Sequence, residues 1–199
     1  MIDPNFVYLA AIISVAGAIG YIRDVLDGST QPNRVTWGLW GVEGVLAFVV
    51  EIQQHVGVPA LMTLMFGLIP LSIVAASFRH HHGVWRITTF DRVCAATSLV
   101  GVAFWLVVRE STIALVAFVA ADAIAGLPTW RKAWIAPSSE TAWPFLTGVI
   151  NTVITLLALR HATTAGVLFP AVIFGTDVVI WSMVAFRLGP RLREKASVA

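Results

Sequence analysis

The sequence predicts an all-α polytopic membrane protein: seven transmembrane helices, forming two parallel three-helix repeats joined by a linker helix, with the N-terminus outside and the C-terminus cytoplasmic. Three observations lead there. First, the 199 residues are 58% hydrophobic and only 12% charged, about half the charge of an ordinary soluble domain, and mean hydropathy is +0.83. This composition excludes a water-soluble globule, a disordered chain and a nucleic-acid binder with a basic tract. Second, seven apolar stretches approach the roughly 20 residues that a helix needs to cross hydrocarbon. Third, the basic residues are split unevenly between the two sides that such a path creates.

In chain order the stretches are 6–25, 35–52, 59–78, 93–108, 113–130, 143–159 and 167–186. The first is preceded by Met1–Ile2–Asp3–Pro4–Asn5, an acidic lead rather than the basic one of a cleavable signal peptide. The fourth is the shortest. Segments such as Ala114 to Ala121 are apolar all round, which favours helices over the alternating strands of a membrane barrel. Seven crossings leave Arg109 and Arg160 on one side and the other eleven basic residues, from Arg23 to the tail's Arg191, Arg193 and Lys195, on the other. Basic residues near span ends stay cytoplasmic, so the C-terminus faces in. The single cysteine, Cys94, lies in an apolar run and leaves the redox compartment unread.

Shifting the chain by 108 residues lays spans one to three on spans five to seven without a gap. Arg23 then meets Arg131, Phe66–Gly67 meets Phe174–Gly175, Phe78–Arg79 meets Phe186–Arg187, and Val45 meets Val153. Span ends and terminal arginines coincide in the same register. The expected units are residues 1–79, a linker-helix region at 80–110, and residues 111–199 with a basic tail. A linker that crosses once makes the triplets parallel.

This 3+1+3 plan resembles the SWEET and PQ-loop superfamily of membrane transporters. The second triplet carries Leu127–Pro128–Thr129 where that family has its Pro-Gln pair, and the first carries Gly20–Tyr21–Ile22–Arg23. The resemblance implies transport by alternating access about a site between the triplets.

Three acids fall near span centres: Glu43, Asp122 and Asp177. Each costs about 2.5–3.5 kcal/mol at such a depth and normally faces protein or a wet cavity. In the 108-residue register Asn151 is the partner of Glu43, and Ser14 is the partner of Asp122. No Lys or Arg is expected at that depth, so the acids either hold protons or receive a cation or polar solute. Trp181 follows Asp177 by one turn and shares its face, an aromatic wall suited to a cationic or ring-shaped solute. Glu43, Asp122, Asn151, Asp177 and Trp181 are therefore the candidate substrate-binding residues. Thr152, Thr155 and Thr176 are secondary candidates. For each side chain alone, a structural role such as bonding a neighbouring helix stays open. Pro128, six residues after Asp122, is the candidate gating residue, as a hinge or as a static kink.

Trp37, Trp40, Trp85, Trp130, Trp134 and Trp143 cluster toward the basic side and read as an interfacial aromatic belt. The run His80–His81–His82 and the outer-side group Glu51, His55, Glu110 and His161 offer the two places where a metal is conceivable; no metal or other cofactor is expected. The expected function is transport of a small polar or cationic solute, with proton coupling open and the lipid bilayer as partner. No nucleic-acid partner is expected, and a homo-oligomer is compatible with the chain. A receptor or sorting protein on the same fold is the second reading, and a histidine-dependent membrane enzyme the third. Such short loops suit a multi-pass protein of a bacterial inner membrane.

Overall fold

Apolar runs with no internal partner for their backbone other than their own turns must be helical in lipid, and every described element is helical. The computed structural model describes residues 2–3, 5–53, 60–79, 85–108, 112–159 and 164–198. The helices are α1 (Phe6–Leu26), α2 (Arg34–Gln53), α3 (Ala60–Ser77), α4 (Thr89–Val108), α5 (Thr112–Ile135), α6 (Trp143–Ala158), α7 (Thr164–Ala185) and α8 (Leu188–Val198), with a 3₁₀ turn at Pro137–Ser139 before α6. By length and composition α1, α3, α4 and the Val167–Ala185 part of α7 can each cross a membrane, and α6 is a shorter apolar helix.

Two boundaries differ from the hydropathy reading for local reasons. Helix α4 begins at Thr89, before the apolar run, because Thr88 and Asp91 form a capping box. The Asp91 carboxylate accepts the Thr88 N–H at 2.5 Å, and the Thr88 hydroxyl accepts the Asp91 N–H at 3.4 Å. Helix α5 continues to Ile135 rather than stopping at Trp130, because charge at Arg131 and Lys132 ends an apolar run but not a helix. The basic tail forms α8, which Arg193 ties to the C-terminal end of α5 by donating to the Trp134 carbonyl at 3.0 Å. Helix α1 closes on Gly28, whose φ of 78° lets its N–H turn back to the Val25 carbonyl.

The helices pair in the same way in both halves. Helix α3 packs on α1 and α2, and α7 packs on α5 and α6. Between the halves, α1 meets α6 and α2 meets α5, while α4 lies against α5 and α2. The α2–α3 contact is backbone to backbone: a Cβ on Gly44 would stand 2.5 Å from the Gly67 nitrogen, and a Cβ on Gly67 would stand 2.7 Å from the Val45 nitrogen. Helices lacking a hydrophobic drive toward one another associate through such small-residue faces.

The main apolar cluster lies at the end of the bundle that holds the α1–α2 and α5–α6 connections. Tyr21, Val25, Trp37, Ile73, Ala133, Phe145 and Ile180 bring six helices together there. Two smaller clusters lie elsewhere, one around Trp105, Phe118 and Val119, the other around Val7, Ala10 and Met62.

Gly67→Ala is expected to force α2 and α3 apart and to destabilise the protein by about 1–3 kcal/mol, the usual cost of overpacking. Thermal unfolding in detergent measures it, with Gly38→Ala, where a Cβ meets nothing within 4 Å, as the control that leaves the midpoint in place.

Candidate functional site

Six helices, three from each triplet, line a partly open cavity of about 110 Å³. Its polar lining is Ser14 from α1, Asp122 from α5, Thr147 and Asn151 from α6, and Thr176 and Asp177 from α7. Its apolar lining includes Trp37 and Trp40 from α2, Phe66 and Pro70 from α3, Phe145 from α6, and Phe169 from α7. Helix α4 adds no lining residue but supports one wall from behind.

The α2–α5 wall carries two acids. Glu43 is 1% exposed and does not reach the lining. Its carboxyl group faces that of Asp122, and it accepts a hydrogen bond from the Ser98 hydroxyl of α4 at 2.7 Å. Its second oxygen has no donor. Asp122 is fixed through its backbone as well, since the Trp40 indole N–H donates to the Asp122 carbonyl at 3.1 Å.

On the opposite wall the Asn151 amide nitrogen of α6 donates to the Ser14 hydroxyl of α1. These two pairs are equivalents in the 108-residue register: Glu43 corresponds to Asn151 and Asp122 to Ser14. One interface between the triplets thus holds two carboxyl groups where its counterpart holds an amide and a hydroxyl. The Asn151 carbonyl oxygen is buried without a donor.

Asp177 completes the cavity from α7, within electrostatic reach of Asp122. Its carboxylate fits against α6 only because residue 148 is glycine; a Cβ there would overlap it. Among the described residues, no group of three or more His, Cys, Asp or Glu side chains could hold a metal ion.

Of the sequence candidates, Asp122, Asn151 and Asp177 line the cavity, with Thr176 beside them. Glu43 stands directly behind Asp122. Trp181 is not part of the lining; it packs on the main apolar cluster and stacks edge-on with Phe186, the centroids 5.5 Å apart. Thr152 and Thr155 spend their hydroxyls on the carbonyls one turn back, of Gly148 and Asn151. Pro128 is buried inside a continuous α5. His55, His80–His82, Glu110 and His161 lie outside the described residues, as does the side chain of Glu51.

Two features escaped the sequence reading. Trp37 and Trp40, expected in an interfacial belt, turn inward, with Trp37 5% exposed and 5.0 Å from the Tyr21 ring and 5.9 Å from the Phe145 ring. Lys132, counted by the sequence only among the basic residues of the cytoplasmic side, is fully buried and pairs with Glu140 at 2.7 Å. The same carboxylate accepts the Tyr21 hydroxyl at 2.8 Å, and Lys132 also donates to the Ser139 carbonyl at 2.9 Å. Close by, Thr141 donates to Asp24 at 2.5 Å and meets Thr30 at 2.6 Å. This network joins the end of α1 to the α5–α6 connection, and so ties one triplet to the other. The i, i+8 spacing of Lys132 and Glu140 was its only sequence trace.

Removing one partner of a buried ion pair strands the other. Lys132→Met is expected to lower stability by about 3–5 kcal/mol, and Lys132→Met with Glu140→Gln to recover most of that loss, because the neutral amide keeps an acceptor for the Tyr21 hydroxyl. Thermal unfolding of the two variants in detergent compares them directly.

Comparison of the chain with known protein families, with curated proteins and with solved structures yields no match, so any function must be argued from the cavity itself.

Proposed function

We propose that the chain is a seven-helix, multi-pass carrier of a small polar or cationic solute, working by alternating access in a bacterial inner membrane. The observation that carries this reading is the cavity between the triplets, with Asp122, Asn151 and Asp177 contributed by helices of both walls. Polar groups at mid-helix are costly in a bilayer and are retained where substrates or ions pass. Sites between repeats, near the midplane, are where secondary transporters hold their solutes. The matched pairing of α1 with α3 and α6, and of α5 with α7 and α2, supports two units that rock about that site. Membership in the SWEET and PQ-loop superfamily is part of the same proposal.

On this reading the basic end of the bundle is cytoplasmic. The Tyr21–Glu140–Lys132 and Asp24–Thr141–Thr30 bonds then close the cytoplasmic mouth, and they must break for the solute to leave inward. Glu43 and Asp122 offer a coupling element: two facing carboxyl groups with no cation between them hold together through a shared proton, which a bound cation can displace. Ser98 orients Glu43 for that exchange.

The test is solute-driven proton flux in proteoliposomes loaded with a pH-sensitive dye, screened across sugars, amino acids, organic amines and inorganic cations. A solute that drives flux in the native protein should lose it at least tenfold in Asp122→Asn and in Asp177→Asn, since each removes a charged contact worth more than about 1.4 kcal/mol. Unchanged flux in both variants would remove the cavity from the mechanism.

A further inference from the structure

We infer that the cavity selects a small organic ammonium ion bearing N–H groups, a monocation with an apolar ring or short alkyl body and no carboxylate. The inference rests on the carrier reading above and names its substrate class. It follows from counting what the lining offers. Three polar donors of the lining are already committed: the Trp40 N–H to the Asp122 carbonyl, one N–H of the Asn151 amide to Ser14, and the Thr147 hydroxyl to the Pro144 carbonyl. The Trp37 indole N–H is the exception, buried without an acceptor.

Against that donor stand unpaired acceptors and the acids. The Asn151 carbonyl oxygen is buried, without a donor and in a residue that lines the cavity. An unsatisfied buried acceptor is costly, and a ligand N–H would satisfy it. The Asp177 and Asp122 carboxylates supply the charge.

Other ligand classes fit less well. Among the described residues no Arg or Lys lines the cavity, and Lys132 is committed to Glu140, so an anion or the carboxylate of an amino acid would be buried without a counter-charge. A neutral sugar would leave the Asp122 and Asp177 carboxylates of the lining without a counter-charge. An inorganic cation needs several converging oxygens, and among the described residues no group of three or more His, Cys, Asp or Glu side chains could hold one. Aromatic faces from Trp37, Trp40, Phe145 and Phe169 make up much of the remaining wall, and such rings attract an organic cation and bury its apolar body. The volume of about 110 Å³ is below the ~150 Å³ of a closed apolar cavity that accommodates benzene, so the ligand is small, and a benzyl-sized body enters because the cavity is partly open.

Calorimetric titration of the purified full-length protein at pH 7 tests the assignment with five probes: benzylamine, benzyl alcohol, phenylglycine, benzyltrimethylammonium and glucose. Benzylamine should bind at least tenfold more tightly than any of the others, one unmatched charge or hydrogen bond being worth about that factor. The trimethylammonium analogue keeps ring and charge but offers no N–H to Asn151. Asp177→Asn should weaken benzylamine by a similar factor. Equal binding of the alcohol, the zwitterion, the quaternary ion or the sugar would overturn the assignment, as would failure of benzylamine to bind. Uptake of labelled benzylamine into proteoliposomes separates this inference from the carrier reading. Binding without uptake supports the ammonium site and overturns carriage. Glucose uptake without benzylamine binding overturns the ammonium site and leaves carriage standing.

Discussion

A carboxyl group carried into the middle of an apolar bundle needs a partner, a proton or water, and the arrangement around Asp122 is organised by that need. Glu43 faces it, Ser98 bonds Glu43 from α4, and Trp40 holds the Asp122 backbone. Asp177 approaches from α7 into space that Gly148 leaves free. None of these contacts is local in sequence. Each joins two helices, so the acids and the packing between triplets depend on one another. The cavity lies where that packing stops short of closing.

The two walls show how a doubled bundle can specialise. In the 108-residue register, Ser14 with Asn151 and Asp122 with Glu43 are the same contact made twice, once between neutral groups and once between acids. The neutral pair satisfies itself with one hydrogen bond and leaves one oxygen over. The acidic pair is stable only with a proton or a cation nearby. On the proposed reading, the first acts as a fixed wall with a spare acceptor and the second as the responsive one. The aromatic cluster of Tyr21, Trp37 and Phe145 and the buried Lys132–Glu140 pair lie to one side of both, which gives the structure a closed end.

Much of the helical layout was legible because apolar composition over about 20 residues has few alternatives. Stretches 6–25 and 35–52 match α1 and α2 to within a residue or so, and the mid-helix position of Asp122, Asn151 and Asp177 follows from counting. What stayed hidden depends on rotation about each helix axis. Helices apolar on every face carry little information about which side turns inward, so Trp181 and Trp40 could not be sorted, and Trp40 is the one that reaches the cavity. The burial of Lys132 stayed hidden for a related reason. In Trp130–Arg131–Lys132 the lysine resembles an ordinary basic end, and only the fold shows that Glu140, on a short connection, turns back to bury it. The tail's helix was missed because its anchor, Arg193 on the α5 carbonyls, is a tertiary contact.

The central claim is that Asp177 faces water inside a bundle whose outer surface faces lipid, and cysteine accessibility measures this most directly. In a Cys94→Ser background, Asp177→Cys and Asn151→Cys should react with a small water-soluble methanethiosulfonate reagent, whereas Val100→Cys should not, because Val100 is 69% exposed on the outside of α4 and would face hydrocarbon. Reaction at residues 177 and 151 alone is the result the account predicts. A folded protein in which residue 177 stays inert, or in which residue 100 reacts as fast, would contradict it.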